Sequence, residues 1–438
     1  MDGPLTEREL PPAASLALSN VYPERNGISF PQKSQRSKES VMTRGLAIHA
    51  PSLDTSKPGR PPEAYGKGRL DNAASAVILF AAAKILGLVV LMIWSASRGK
   101  SAHTLLSGRW DSLWYTRIAE SGYAFSLQAP DGRNLSSMAF FPLLPWLEEG
   151  GARITSWSTG DIGLAISAVS SLVAALGLFR LGEQVHSARA GVILACLWGT
   201  LPVAIVQSMA YSESLFVALA VWALLALLRD RWMTAGLLAV LAGLTRPVGV
   251  AISAAIVVSA AVVLVTGGSG LSRNKRIRIV ASGLVSPLGA VGFILWVGHR
   301  RQKLFGYLDV QAEWGNGFDG GIAFAKFLAA PVLDSGVFAA GILTALVLLC
   351  AWPHWIAWQQ RQPIALIVYS AIITVMAVGA SGYFGSKPRL LIPAFPLLLT
   401  LAIRMARARP ALAWAVPAAM AVVSSVYGAF WLNGSGPP

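Results

Sequence analysis

Charge is scarce in this chain. Asp, Glu, Lys and Arg make up 13% of its 438 residues and hydrophobic residues 54%, a balance that excludes an ordinary soluble domain. Cysteine is almost missing. Cys196 and Cys350 are the two present, both inside apolar stretches, so they read as small packing residues and imply neither a disulfide framework nor a metal site. The chain also lacks an Asp-x-Asp pair, a zinc-type cluster of His and Cys, and a G-x-x-x-x-G-K-[ST] loop. Metal and nucleotide-phosphate chemistry are left without a motif, and no cofactor is expected. No internal repeat is visible, which weighs against an inverted-repeat transporter.

Apolar sequence is what the chain has in plenty. It comes in blocks of about 17 to 25 residues, the length that crosses a hydrocarbon core as helix. Backbone in lipid must satisfy its own hydrogen bonds, so these blocks are helices; barrel strands would be alternating runs of about 10 residues. Eleven spans follow from the pattern: Ala73–Ser97, Asp161–Phe179, Ala190–Gln207, Glu213–Leu228, Trp232–Thr245, Val248–Thr266, Ile277–Val297, Ser335–Ala351, Ile364–Ser381, Leu390–Ile403 and Ala411–Leu432. The expected fold is an all-α polytopic membrane protein, with a membrane domain over 71–438. Residues 1–70 are polar, rich in Pro, Ser, Lys and Arg and without periodicity, and read as a disordered cytoplasmic tail. They show no basic start followed by an apolar core, so they do not form a signal peptide.

The basic residues fix an orientation. A cytoplasmic N-terminus puts Arg180 and Arg189, Arg229 and Arg231, SRNKRIR (272–278), Arg361 and RMARAR (404–409) inside, as positive-inside topology requires. The same rule accounts for the net charge of +15, and no nucleic-acid motif accompanies it, so nucleic acid is not an expected partner. The outer face then holds the loop 98–160, the turn SMAYSES (208–214), the corner Thr245–Pro247, the loop 299–321 and GYFGSKPR (382–389). Nearly every residue with chemical potential gathers there.

The stretch RWDSLWYTRIAESGY (109–123) is the most informative of these. It sets Asp111 among Trp110, Trp114 and Tyr115, residues that favour the headgroup level. As a helix, Asp111, Trp114, Tyr115 and Ile118 share one face, with Arg117 and Glu120 mostly on others. Asp111 either caps its own helix start or acts as a general base toward an acceptor hydroxyl. The prolines of MAFFPLLPWL (138–147) break a helix and suggest a re-entrant or interfacial turn packed on the aromatic segment. Glu213 lies at the outer end of a span, where an acid is either a site residue or a favourable charge at a helix start. Arg246, Lys387 and Arg389 are outer cations beside prolines; they suit a lipid phosphate or snorkel to ordinary headgroups. Trp314, with Asp309, Gln311, Asn316 and Asp319, supplies the aromatic and amide groups that bind sugars, while the glycines there equally suit a plain turn.

Six segments, RWDSLWYTRIAESGY, AFFPLLPWL, AYSESLFVALA, LAGLTRPVG, VQAEWGNGFDGG and KPRLLIPAFPLLL, resemble in order the PIG-V-like branch of the GT-C membrane glycosyltransferases. The resemblance reaches from the first span through the tenth. It implies a GT-C bundle with interfacial helices in the first outer loop, and transfer of a hexose, usually mannose, from a polyprenyl-phosphate sugar. Transfer would occur with inversion on the extracytoplasmic face of the cell membrane, without a cofactor. The family's essential first-loop acid falls on Asp111. Trp110, Tyr115, Arg117, Glu213, Arg246, Trp314, Lys387 and Arg389 are the expected substrate-binding residues. Expected partners are membrane lipids, the polyprenyl-phosphate donor, and a glycolipid, cell-wall glycan or protein acceptor. The rival readings are a transporter or lipid flippase, for which Lys84 is the main intramembrane charge, and a non-catalytic scaffold with the same fold.

Overall fold

The computed structural model describes residues 62–129, 131–330 and 336–436. Of the expected tail, residues 1–61 lie outside the described residues, and 62–70 already belong to the first helix, Pro62–Ser97. Proline suits such a start, where a helix leaves the backbone N–H without an acceptor.

Each of the eleven apolar segments is largely helical, some with breaks, although Ser335, the expected start of the eighth, lies outside the described residues. Among the described residues six helices are long and apolar enough to cross a membrane: Asp71–Ser97, Thr159–Val185, Pro247–Gly267, Arg273–Arg300, Ala340–Gln359 and Pro410–Asn433. Ala188–Gly199, Glu213–Leu228, Trp232–Gly243 and Ile364–Gly379 are apolar but shorter. Phe384–Leu390 and Phe395–Arg407 form a broken pair bent by 61°. The protein is a multi-pass helical membrane protein.

Two departures from regular helix position the site. The third segment, expected over Ala190–Gln207, stops at Gly199 and continues as a turn and a 3-10 stretch, Ala204–Ser208. Pro202 explains the stop, because it has no N–H to donate and turns the residue before it away from the helical region. The tenth segment breaks between Leu390 and Phe395, around Pro393. Irregular backbone at membrane depth is tolerated where protein surrounds it, and each break is followed or preceded by a charged residue turned inward.

Helices in lipid gain little from burying apolar surface against one another, so close packing and hydrogen bonds must hold them. Gly182 illustrates the packing: a Cβ there would sit 2.5 Å from Gly191 Cα, so Thr159–Val185 and Ala188–Gly199 touch backbone to backbone. Trp198 is fully buried, stacks on Phe80 with ring centroids 5.6 Å apart, and donates its indole N–H to the Ile392 carbonyl at 3.2 Å.

The loop after the first span contains helices Ala102–Ser107, Asp111–Ser121 and Leu143–Ile154. It also holds a short antiparallel hairpin, Ser126–Gln128 with Asn134–Ser136, in which Leu127 faces Leu135; an all-α reading did not anticipate it. Nor do the two prolines of 138–147 break a helix. Pro142 stands at the N-cap of Leu143–Ile154 and Pro145 in its first turn, where proline costs no hydrogen bond. That helix exposes Trp146, Leu147 and Ile154, and Trp157 follows it, the outward apolar face of an interfacial helix.

The basic loops meet at one end of the bundle. Lys275 pairs with Asp230 at 2.5 Å, Arg229 donates to Gln184, and Arg189 donates to the Ala408 carbonyl. The first loop and the residues around Glu213, Arg246 and Arg389 gather at the other.

Candidate active site

The helix Asp111–Ser121 begins at a strained turn. Trp110, just before it, has φ 51°, a positive value that is costly for a bulky residue, of order 1–3 kcal/mol. Arg109 holds the turn: its guanidinium lies 4.0 Å from the Trp110 ring and donates to the Leu432 and Gly434 carbonyls. Asp111 is the first helical residue, and the N-cap position is Trp110. The Asp111 carboxylate is therefore not spent on capping. It pairs with the Arg389 guanidinium.

Glu213 stands behind this pair, at the start of its own helix. Its Oε1 is 2.6 Å from Arg246 Nη1 and 2.7 Å from Arg389 Nε. Four charged side chains from four separate segments thus meet, two carboxylates against two guanidiniums. Their exposures divide the labour. Glu213 is 1% exposed, and Arg389 and Arg246 are 10% and 12% exposed, whereas Asp111 is 22% exposed. Asp111 is the most exposed of the four, and Glu213 is the buried carboxylate that holds both cations. Charges this deep persist only when paired, because stripping water from each costs several kcal/mol. Glu213 Oε2 and Arg246 Nε remain buried without a hydrogen-bond partner among the described residues.

Two residues not singled out in the sequence complete the cluster. Ser212 Oγ accepts from Arg246 Nη1 at 3.2 Å and shares a 2.8 Å hydrogen bond with the Tyr115 hydroxyl. The Tyr211 ring lies 4.8 Å from the Arg389 guanidinium, and its hydroxyl accepts from the Asp111 backbone N–H at 3.4 Å. Burial raises both phenols above their ordinary range, so they remain protonated. The sequence signal for the pair was their place in SMAYSES, immediately before Glu213.

The structure brings Asp111, Tyr115, Glu213, Arg246 and Arg389 together. Trp110 forms the turn beside them. Trp314 joins through an aromatic relay: its ring meets Trp114 at 4.8 Å and Phe140 at 5.3 Å, and Phe140 meets Tyr115 at 5.2 Å. Arg117 is turned elsewhere, over the Phe125 ring at 4.4 Å. Lys387 is also apart, although it precedes Arg389 by two residues. Its ammonium donates to the Ala377, Val378 and Ala380 carbonyls, closing the C-terminal end of Ile364–Gly379. Of the acids in the outer loop, Asp309 pairs with Lys303, and Asp319 accepts from the Gly321 and Ala323 N–H groups.

Nothing in the sequence singles out Glu148. It is fully buried, and both carboxyl oxygens lack a hydrogen-bond partner among the described residues. Burial first, and the Glu120 carboxylate second, hold its carboxyl well above the usual range.

No protein-family model matches the chain, and no curated protein matches it. Among solved structures it is similar to ArnT from Cupriavidus metallidurans bound to undecaprenyl phosphate, at 18% identity and a TM-score of 0.47 over 79% of this chain. It is also similar to the Archaeoglobus fulgidus oligosaccharyltransferase in complex with Zn and sulfate, at 16% identity and a TM-score of 0.44 over 82% of this chain. The chain spans 63% of the length of the first and 53% of the second.

Proposed function

We propose that this protein is a membrane glycosyltransferase of the GT-C type, which moves a hexose, mannose by the PIG-V-like resemblance, from a polyprenyl-phosphate sugar to a hydroxyl acceptor. The observation that carries the reading is Asp111: a reachable carboxylate beside two guanidiniums that a buried glutamate holds in place. A lipid-borne donor explains why such a group belongs at the end of a membrane bundle, and a prenyl phosphate leaving group calls for cations. Arg389 and Arg246 meet that need, the planar fork of arginine matching phosphate oxygens.

In the proposed reaction Asp111 accepts the proton of the acceptor hydroxyl. The hydroxyl oxygen bonds to the anomeric carbon as the bond to the phosphate oxygen breaks, with inversion. The guanidiniums stabilise the charge that develops on the departing phosphate. Trp110, Tyr115 and Trp314 are the aromatic residues assigned to orienting the sugar ring in this reading. Lys387 and Arg117 stay in supporting positions, on backbone carbonyls and on Phe125. Positive-inside topology favours an extracytoplasmic site, and the acceptor classes remain a glycolipid, a cell-wall glycan or a secreted protein.

The test is transfer of label from radiolabelled polyprenyl-phosphate mannose, using membranes that hold the wild type or Asp111→Asn. Labelled lipid, glycan or protein product is expected with the wild type alone. Full activity in the variant removes Asp111 as base, and uptake of substrate into proteoliposomes without covalent product supports a transporter in place of an enzyme.

A further inference from the structure

Lys84 lies at the middle of the Asp71–Ser97 span, the most costly depth for an ammonium group. A residue kept there at such cost marks function by default. Its head group is not idle. It donates to the Ala204 carbonyl and to Gln207 Oε1 at 3.2 Å, in a niche lined by small residues that include Gly87, Gly199, Ser208 and Ser425. Both acceptors belong to the 3-10 stretch Ala204–Ser208, within the non-α segment between Gly199 and Glu213.

That stretch faces a definite physical problem. It leaves the α-helix while still among membrane helices, and its 3-10 turns and bends engage only some of its carbonyls, so the others need partners from elsewhere in the protein. Side chains from its surroundings supply them. Ser424 donates to the Leu201 carbonyl at 2.6 Å, Ser167 to the Tyr211 carbonyl at 3.0 Å, and Ser214 to the Gln207 carbonyl at 2.9 Å. Gln207 in turn donates to the Trp198 carbonyl at 2.9 Å. Lys84 is the charged member of this set, and it grips the midpoint of the stretch. Four residues beyond Gln207 the chain delivers Tyr211, Ser212 and Glu213 to the site.

We propose that Lys84 is a positioning residue for the reaction. By holding Ala204 and Gln207 it sets the path of the unwound stretch and hence the place of Glu213, which aims Arg246 and Arg389. The link to catalysis rests on the glycosyltransferase reading; the effect on the backbone does not. Lys84→Met keeps an unbranched side chain of nearly the same length and removes all three donors. Lys84→Arg keeps the charge and adds donors. Lys84→Gln replaces the ammonium with a shorter neutral amide that still carries N–H donors, and is measured as well, in case the methionine variant yields no folded protein.

Hydrogen–deuterium exchange in detergent reads the backbone without any substrate. Amides of 200–213 are expected to exchange at least tenfold faster in Lys84→Met and severalfold faster in Lys84→Gln, with the remaining spans unchanged and Lys84→Arg close to wild type. With the radiolabelled donor, kcat per folded molecule is expected to fall at least tenfold in Lys84→Met and to recover in Lys84→Arg; a residue that only stabilises the fold would lower the folded yield and leave that kcat alone. Wild-type exchange and wild-type kcat in a folded Met or Gln variant overturn the proposal. A wild-type protein that transfers no sugar sinks the glycosyltransferase reading, while the exchange result still decides the role of Lys84.

Discussion

Asp111→Asn and Glu213→Gln are expected to fail in different ways. In Asp111→Asn the side chain keeps its shape and loses its charge, and Arg389 still faces Glu213 at 2.7 Å. No guanidinium is left without a carboxylate. Because Asp111 is the more exposed partner, the stability cost is that of a partly solvated ion pair, at most about 1 kcal/mol. Loss of a general base costs about 10²–10⁴ in rate, or about 3–5 kcal/mol of transition-state stabilisation at 1.36 kcal/mol for each factor of ten. Glu213→Gln removes the shared partner of two buried cations. Arg246 is then left without a carboxylate, and an uncompensated buried charge costs about 3–5 kcal/mol of stability; activity falls because Arg246 is no longer aimed and Arg389 is held by Asp111 alone. The two are separated by measuring sugar transfer per folded molecule alongside thermal unfolding in detergent. Asp111→Asn is expected to melt near the wild type and be nearly inactive, and Glu213→Gln to lose both properties. An Asp111→Asn protein within a few fold of wild-type activity, or a Glu213→Gln protein with the wild-type melting temperature, refutes this division of roles.

Three further outcomes can be checked. The folded protein holds the Glu148 proton above the usual carboxylate range, so the stability this proton provides is present at low pH and lost as pH rises through the raised value. Glu148→Gln is expected to flatten that fall, seen as a smaller difference in unfolding temperature between about pH 5 and about pH 8. Lys387→Met strips the donor from three carbonyls at the end of Ile364–Gly379; a loss of about 1–3 kcal/mol in stability is expected, and an unchanged melting curve contradicts the capping role. A cysteine at Asn274, among the basic loops, is expected to react with an impermeant maleimide only after cells are opened, and one at Ser126 in intact cells. The reverse pattern inverts the topology.

Much of the fold was legible because lipid permits so few choices. Apolar blocks had to be helices, and even the short Trp232–Gly243 segment was visible between its arginines. The charged residues of the site stood out for a related reason: in a chain this poor in charge, Asp111, Glu213, Arg246 and Arg389 each interrupt an apolar context. Which cation meets which acid was not legible, since Asp111 and Arg389 are 278 residues apart in sequence and only the packed bundle joins them. Proline also misled. Pro145 suggests a breaker in sequence, but in a first turn it is harmless, whereas Pro202, inside an expected span, ends a helix. The hairpin at 126–136 is three residues a side, too short for alternation to show. Glu148 escaped notice because nothing in WLEEGG distinguishes the acid that turns inward from Glu149, which pairs with Arg153 in solvent.

The four ionised groups around Glu213 sum to zero charge. Under the proposed chemistry that sum changes in step with the ligand. The donor is a phosphodiester with a single negative charge; the prenyl monoester left behind carries close to two. When the acceptor's proton arrives on Asp111, the protein side becomes net positive by one, at the moment the lipid becomes more negative by one. The charge on the cluster then favours spent carrier over fresh donor.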